Sequence, residues 1–175
     1  SSVDQSTDTC TNNHATMNPL SAYGSVTLAE GNLQVNVADN TDNDTSSFMV
    51  SSGKWYWEGK YTVGSLAMVG IRPEGDSGNQ RPANTSYGAS FTTNDIIGFA
   101  LDLDSGTQTI TFYKNGASQG AINIATSGLT WGFSFTSGGG SDTFQMNFGS
   151  PPYSISSGNA DGNGYGNFEY AVPSG

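Results

Sequence analysis

IIGFALDLDSGTQTITFYKNGASQG, residues 96–120, is the stretch whose pattern decides the fold. Ile97, Phe99, Leu101 and Leu103 fall on one side of an extended chain, and Ile96, Gly98, Ala100 and Asp102 on the other. Successive side chains of a strand point to opposite faces, so this two-residue period predicts a half-buried strand. Asp104-Ser105-Gly106 supplies turn chemistry, because Asp bonds nearby backbone and Gly accepts positive φ. The alternation resumes at Thr109, with Ile110 and Phe112 on one face and Thr109, Thr111 and Tyr113 on the other. Asn115-Gly116 then predicts a tight primed turn, in which both residues take the left-handed conformation. The stretch therefore reads as two successive hairpins of an antiparallel sheet with one buried face.

The same period recurs on both sides of it. Residues 25–28 and 32–37 predict short strands around Glu30-Gly31, with Leu33, Val35 and Val37 alternating with Asn32, Gln34 and Asn36. In residues 53–63, Trp55, Trp57, Tyr61 and Val63 share one face while Tyr56, Glu58, Lys60 and Thr62 share the other. Aromatic side chains bury large areas, which places this strand near the centre of a sheet. Residues 66–71 follow, then a long loop over residues 72–88; Trp131, Phe133 and Phe135, and later Phe144, Met146 and Phe148, complete the set. About ten short strands, Gly- and Asn-rich turns and no helical period predict an all-β sandwich of two packed antiparallel sheets. Residues 1–16 read as a polar lead segment, 17–152 as the sandwich, and 153–175 as a Gly/Ser/Asn-rich tail whose Tyr165, Phe168, Tyr170 and Val172 pack back on the domain.

Composition narrows the partners. Lys and Arg number 5 against 15 Asp and Glu, a formal net charge of −10. Phosphate backbones and anionic lipid surfaces are bound by basic side chains, so nucleic acid and membrane are both disfavoured. No apolar run approaches the roughly 20 residues of a spanning helix. Charged residues make up 11% of the chain, well under the usual share of about 25%, so Ser, Thr, Asn and Gly must supply the polar surface. That surface is associated with extracellular and virion β proteins. Cys10 is the single cysteine, and no intrachain disulfide can form. The chain opens on Ser1, which predicts processing or excision from a longer precursor; it carries no signal-peptide pattern.

Read as a set, several blocks resemble the SPRY domain family. They are Ser51-Ser52-Gly53-Lys54-Trp55-Tyr56-Trp57-Glu58, Val69-Gly70-Ile71, Asp95-Ile96-Ile97-Gly98-Phe99-Ala100-Leu101-Asp102, Ile110-Thr111-Phe112-Tyr113-Lys114-Asn115-Gly116, and Asn147-Phe148-Gly149 ahead of Pro151-Pro152. The resemblance covers roughly residues 17–152. It implies a SPRY-like β-sandwich and a non-enzymatic recognition role through loops at one end and a shallow concave face. Asn18-Pro19-Leu20, Gly31-Asn32-Leu33 and residues 52–56 follow one another as in the variant found in bacteriophage and environmental viral structural proteins. That variant implies a virion surface or tail-appendage protein, extracellular, binding a protein or glycan on a host surface or a neighbouring virion subunit, with homo-oligomers allowed. Two alternatives stay open: a cellular SPRY module binding a short peptide, and a lectin-like carbohydrate-binding domain. Gly59 departs from the family, which usually carries an aliphatic residue after the Glu.

Candidate sites divide by chemistry. Nucleophilic triads need a base, and the one histidine, His14, lies in the polar lead segment, read as solvated or capping. Glu58, mid-strand among aromatics, is the strongest carboxylate for acid–base work, but a mid-strand Glu more often pairs with a Lys or a backbone donor. Asp39, Asp42 and Asp44 offer hard oxygen ligands as weak calcium candidates, although their spacing fails the EF-hand pattern, and Asp161-Gly162-Asn163-Gly164 is similarly incomplete. No cofactor is implied. Asn43-Asp44-Thr45 and Asn84-Thr85-Ser86 match glycosylation sequons, and Gly138-Gly139-Gly140 reads as a turn, lacking the Lys of a phosphate loop. By the family's layout, the ligand-binding surface comes from the loops holding Asp39, Asp42, Asp44, Arg72, Glu74, Asp76, Asn79, Arg81 and Tyr87, with residues 137–142 beside them. Tyr87 and Tyr23 are the aromatic anchors.

Overall fold

The structure, a computed structural model, describes residues 13–39, 43–76, 82, 87–124 and 128–174. Cys10, Asp42, Asn79, Arg81 and the Asn84 sequon lie outside the described residues. Ten strands are present among those described: β1 (Val26–Ala29), β2 (Gln34–Val37), β3 (Asn43–Thr45), β4 (Lys54–Val63), β5 (Ala67–Pro73), β6 (Ile96–Asp102), β7 (Thr109–Lys114), β8 (Ala117–Asn123), β9 (Trp131–Ser137) and β10 (Asp142–Asn147). They form a seven-stranded sheet in the order β1-β2-β10-β4-β6-β7-β8 and a three-stranded sheet in the order β3-β9-β5. Every pairing is antiparallel.

The opening stretch folds as its alternation requires. Lys114 pairs with Ala117 across Asn115 and Gly116, whose φ values of 48° and 79° are those of a primed two-residue turn. The preceding turn differs from its expected centre. Asp102, at the end of β6, accepts the backbone N–H groups of Asp104 and Ser105 at 3.0 and 2.9 Å, while Asp104 accepts Gly53 N–H at 2.7 Å. A carboxylate two residues earlier therefore shapes the turn. Three consecutive residues between β1 and β2, Glu30, Gly31 and Asn32, have positive φ, and only the Gly does so without steric cost. β3 overlaps the end of the loop expected to hold Asp39, Asp42 and Asp44.

Inward-facing residues of the two sheets meet in one aromatic core. Phe99 stacks on Trp57 with centroids 5.4 Å apart and 7° between planes, and meets Phe112 and Phe133 edge-on at 5.4 and 5.2 Å. Phe144 meets Phe135 at 5.0 Å and Tyr61 at 5.0 Å, which joins the sheets a second time. Each such pair adds about 0.5–1.5 kcal/mol beyond burial. The departure at Gly59 has a physical cause here. A Cβ on Gly59 would lie 2.9 Å from the Phe144 ring and 3.2 Å from the Met146 sulfur, so the aromatic ring has taken the place of an aliphatic side chain.

One expectation fails at the strand ends. Trp55 and Val63 share a face with buried Trp57 and Tyr61, yet they are 44% and 55% exposed. β4 is ten residues long and β9 of the facing sheet is seven, so the ends of β4 run past their cover.

Candidate functional site

The loops expected to build one partner surface are separated by the sheet register. β5 pairs with β9 so that Ala67 opposes Ser137 and Pro73 opposes Trp131. Arg72 and Glu74 thus sit at the Trp131 end of β9, while the 137–142 turn sits at the other, about 20 Å away at roughly 3.3 Å per residue. Val37 pairs with Asp142, which places exposed Asp39 at the turn end. Glu74 is exposed and Asp76 half-buried. Tyr87 is half-buried: its ring lies 5.6 Å from Phe112 and its hydroxyl donates to the Gly120 carbonyl, so it fastens the loop to β7 and β8.

Asp44 and Arg72 are corrected outright as surface contacts. Asp44 lies in β3 with no exposure; one carboxylate oxygen accepts the Ser21 hydroxyl at 2.6 Å and the Thr45 N–H at 2.7 Å, and the other is buried with no hydrogen-bond partner among the described residues. Arg72 is 5% exposed and donates to the Ser134 hydroxyl at 3.0 Å. Among the described residues no group of three or more His, Cys, Asp or Glu could hold a metal ion.

Burial pushes the Asp44 carboxyl up from 3.8 to about 6, against the Ser21 and Thr45 hydrogen bonds and the Arg72 charge. A carboxyl raised in the folded state takes up a proton that the unfolded chain has released. Its stabilising contribution is complete below pH 3.8 and is lost as pH rises through about 6. Urea denaturation of the wild type from pH 4 to 7 is expected to show stability falling, relative to Asp44→Asn, by about 2–3 kcal/mol. A parallel pair of curves would show that Asp44 does not titrate in this way.

Glu58 is wholly buried, but not in the apolar core. It points from the outer face of the seven-stranded sheet into the C-terminal segment. One carboxylate oxygen accepts the Tyr56 hydroxyl at 3.0 Å and Tyr170 N–H at 2.9 Å; the other accepts Glu169 N–H at 2.9 Å and the Asn147 amide at 3.4 Å. Burial raises its pKa, and these four donors pull it back. The segment is fastened along its length. Phe168 meets the Tyr56 ring edge-on at 5.2 Å, Asn147 donates to the Asn167 carbonyl at 2.9 Å, and Lys60 lies 5.7 Å over the Tyr153 ring. Glu58 is a structural clamp, as a mid-strand Glu with backbone donors should be.

The segment so held creates relief on an otherwise smooth sheet face. A groove of about 700 Å³ runs over β4, β6 and β7, floored by Lys54, Tyr56, Ala100, Asp102, Thr109 and Thr111 and walled by the 161–174 segment. A cleft of about 120 Å³ adjoins it at the sandwich end, between Phe48 and Val50 on one side and Trp57 and Trp131 below. Groove and cleft share Asn13, His14, Trp55, Tyr56, Leu101 and Phe148. His14 is fixed there, Nδ1 lying 3.2 Å from the Phe148 carbonyl, rather than solvated. Phe48 and Trp55 leave 40% and 44% of their surface exposed at the cleft mouth. The Trp55 indole is oriented by its N–H, which donates to the Ser52 carbonyl at 2.7 Å. Sequence reasoning missed this recess, and its one legible signal was Trp55 standing at the end of an aromatic strand beside a turn.

No family model matches the sequence, and no curated protein matches it. Solved structures do match. The SPRY domain of human HERC1 superposes with a TM-score of 0.59 at 18% identity, covering 74% of this chain and 96% of that one. The TRIM65 PSpry domain superposes with a TM-score of 0.54 at 16% identity, covering 77% and 92%. The fold is that of a SPRY β-sandwich.

Proposed function

We propose that the chain is a non-enzymatic recognition domain that takes a segment of a partner protein at the end of the sandwich where Phe48 and Trp55 flank the 120 Å³ cleft. The observation that carries this reading is a pair of large, half-exposed rings around a recess between the sheets, Trp55 on β4 and Phe48 in the loop that Ser46 and Val50 pin by single bridges. Aromatic anchors of this kind dominate protein interfaces, since they bury much area at small entropic cost. The SPRY fold supports it by analogy, because the solved neighbours are SPRY domains. Glu58 supports the non-enzymatic part: with four donors and no exposure, the best-placed carboxylate cannot reach a substrate. Placement on a virion or outside a cell is the reading that the sequence resemblance supports.

The test is a peptide-display selection against the whole chain, followed by affinity measurements on the enriched peptides. Peptides sharing an apolar anchor are expected, with Trp55→Ala and Phe48→Ala each weakening binding about tenfold or more, equivalent to about 1.4 kcal/mol. Selected peptides whose affinity both variants leave intact would move the site elsewhere.

A further inference from the structure

The 700 Å³ groove on the outer sheet face is distinct from the cleft's apolar mouth in what it offers a ligand. We propose that it is a binding site for a neutral oligosaccharide. This goes beyond the protein-recognition reading and does not depend on it.

The groove has the size of a small-molecule site, and its floor crosses three strands, β4, β6 and β7, a span of about 10 Å at roughly 4.8 Å between strands. Two exposed aromatic residues line it: Tyr165, 57% exposed, on the segment wall, and Trp55, 44% exposed, at the border it shares with the cleft. The Trp55 indole and the Tyr165 backbone are held before any ligand arrives. Trp55 is fixed by its bond to Ser52. The Tyr165 backbone is held by a closed turn, in which an Asp161 carboxylate oxygen accepts Asn163 N–H at 2.9 Å and Tyr165 N–H at 2.8 Å, and Asp161 N–H donates to the Tyr165 carbonyl at 2.8 Å. Exposed aromatic rings are suited to the C–H faces of sugar rings, which are apolar, while the sugar's edges carry hydroxyls.

The groove floor selects among ligand classes. Its backbone groups are engaged in the β4–β6 and β6–β7 ladders, so an extended peptide would find few main-chain partners there. What the floor presents is side-chain chemistry: the Thr109 and Thr111 hydroxyls and the Lys54–Asp102 pair at 3.3 Å. Those are donors and acceptors for hydroxyl groups. Among the described residues lining the groove Lys54 is the one Lys or Arg, and Asp102 neutralises it, within a chain of net charge −10, so an acidic glycan would meet no excess positive charge. A neutral saccharide satisfies all of these conditions.

The experiment is a glycan array carrying neutral and acidic oligosaccharides, probed with the whole chain, followed by tryptophan-fluorescence titration with each neutral oligosaccharide retained. Retention of neutral glycans is expected, with affinity reduced about tenfold by Tyr165→Ala and by Trp55→Ala, and the thermal midpoint of Tyr165→Ala unchanged. Phe48→Ala, which alters the cleft and not the groove, separates the two sites: loss of peptide binding there speaks only to the protein-recognition reading. The proposal is overturned if no neutral glycan is retained, if only acidic glycans are, if the retained glycans bind Tyr165→Ala as well as wild type, or if a peptide proves to depend on Tyr165 and to displace the sugar.

Discussion

Replacing Glu58 with Ala should destabilise the protein by about 3–5 kcal/mol, more than a single lost hydrogen bond, and should free the C-terminal segment from the sheet. The substitution strands four donors at once: the Tyr56 hydroxyl, the Asn147 amide and the backbone N–H groups of Glu169 and Tyr170. Each unsatisfied buried donor costs about 1–3 kcal/mol, and water entering the vacated space recovers part of that sum. Hydrogen exchange separates the two consequences. The amides of Glu169 and Tyr170 should lose protection by a larger factor than those of β6, whose ladder does not involve Glu58's side chain. Equal loss everywhere would mean the segment and the sheet open as one unit. Glu58→Gln keeps the shape but supplies one acceptor oxygen where two are used, so it should fall between wild type and Glu58→Ala.

The second large effect is expected at Asp142, the first residue of β10, which is also wholly buried. One of its oxygens accepts the Tyr61 hydroxyl and the N–H groups of Ser65 and Leu66 at 2.9 and 3.2 Å; the other accepts the Ser137 hydroxyl. Tyr61 belongs to the seven-stranded sheet and Ser137 to the three-stranded one, so a single carboxylate ties the sheets together where β9 turns into β10. Asp142→Ala should cost about 3–5 kcal/mol in chemical denaturation, the range in which removing one partner of a buried polar cluster falls. Tyr61→Phe removes only the hydroxyl and should cost about 1–2 kcal/mol. A double variant no worse than Asp142→Ala would show that the hydroxyl acts through the carboxylate. Additive losses would contradict that coupling.

Much of this architecture was legible from side-chain alternation. Residues 96–120 specified two hairpins because a buried face and a two-residue period leave little freedom of register, and Asn115-Gly116 fixed the second turn. Gly59 could be seen to depart from the family, but the Phe144 and Met146 side chains that exclude a Cβ come from a strand far along the chain. The loop residues fared differently. Asp44 and Arg72 look like surface charges, since such groups are seldom buried without partners, yet β3 is a three-residue strand whose pairing no local pattern announced. The expected partner surface assumed that Asp39 and Arg72 share an end of the sandwich. Which end each loop reaches depends on strand order and register between sheets, a non-local property. The groove was invisible for the same reason: its wall is a Gly- and Asn-rich segment, and its floor is the polar face of strands that alternation marks as solvent-exposed.

The Glu58 clamp also bears on the order in which contacts can form as the chain lengthens. Its backbone donors lie 111 and 112 residues downstream. Until residues 168–170 are available, a carboxylate at the centre of the seven-stranded sheet has only Tyr56 and Asn147 to meet it, and water must occupy the rest of its site. Closing so long a loop is entropically slow relative to forming the β6–β7–β8 meander. The sandwich therefore has a natural sequence of assembly, with local hairpins first and the outer segment last, and a ribosome-bound chain lacking those residues would present an open sheet face instead of a groove.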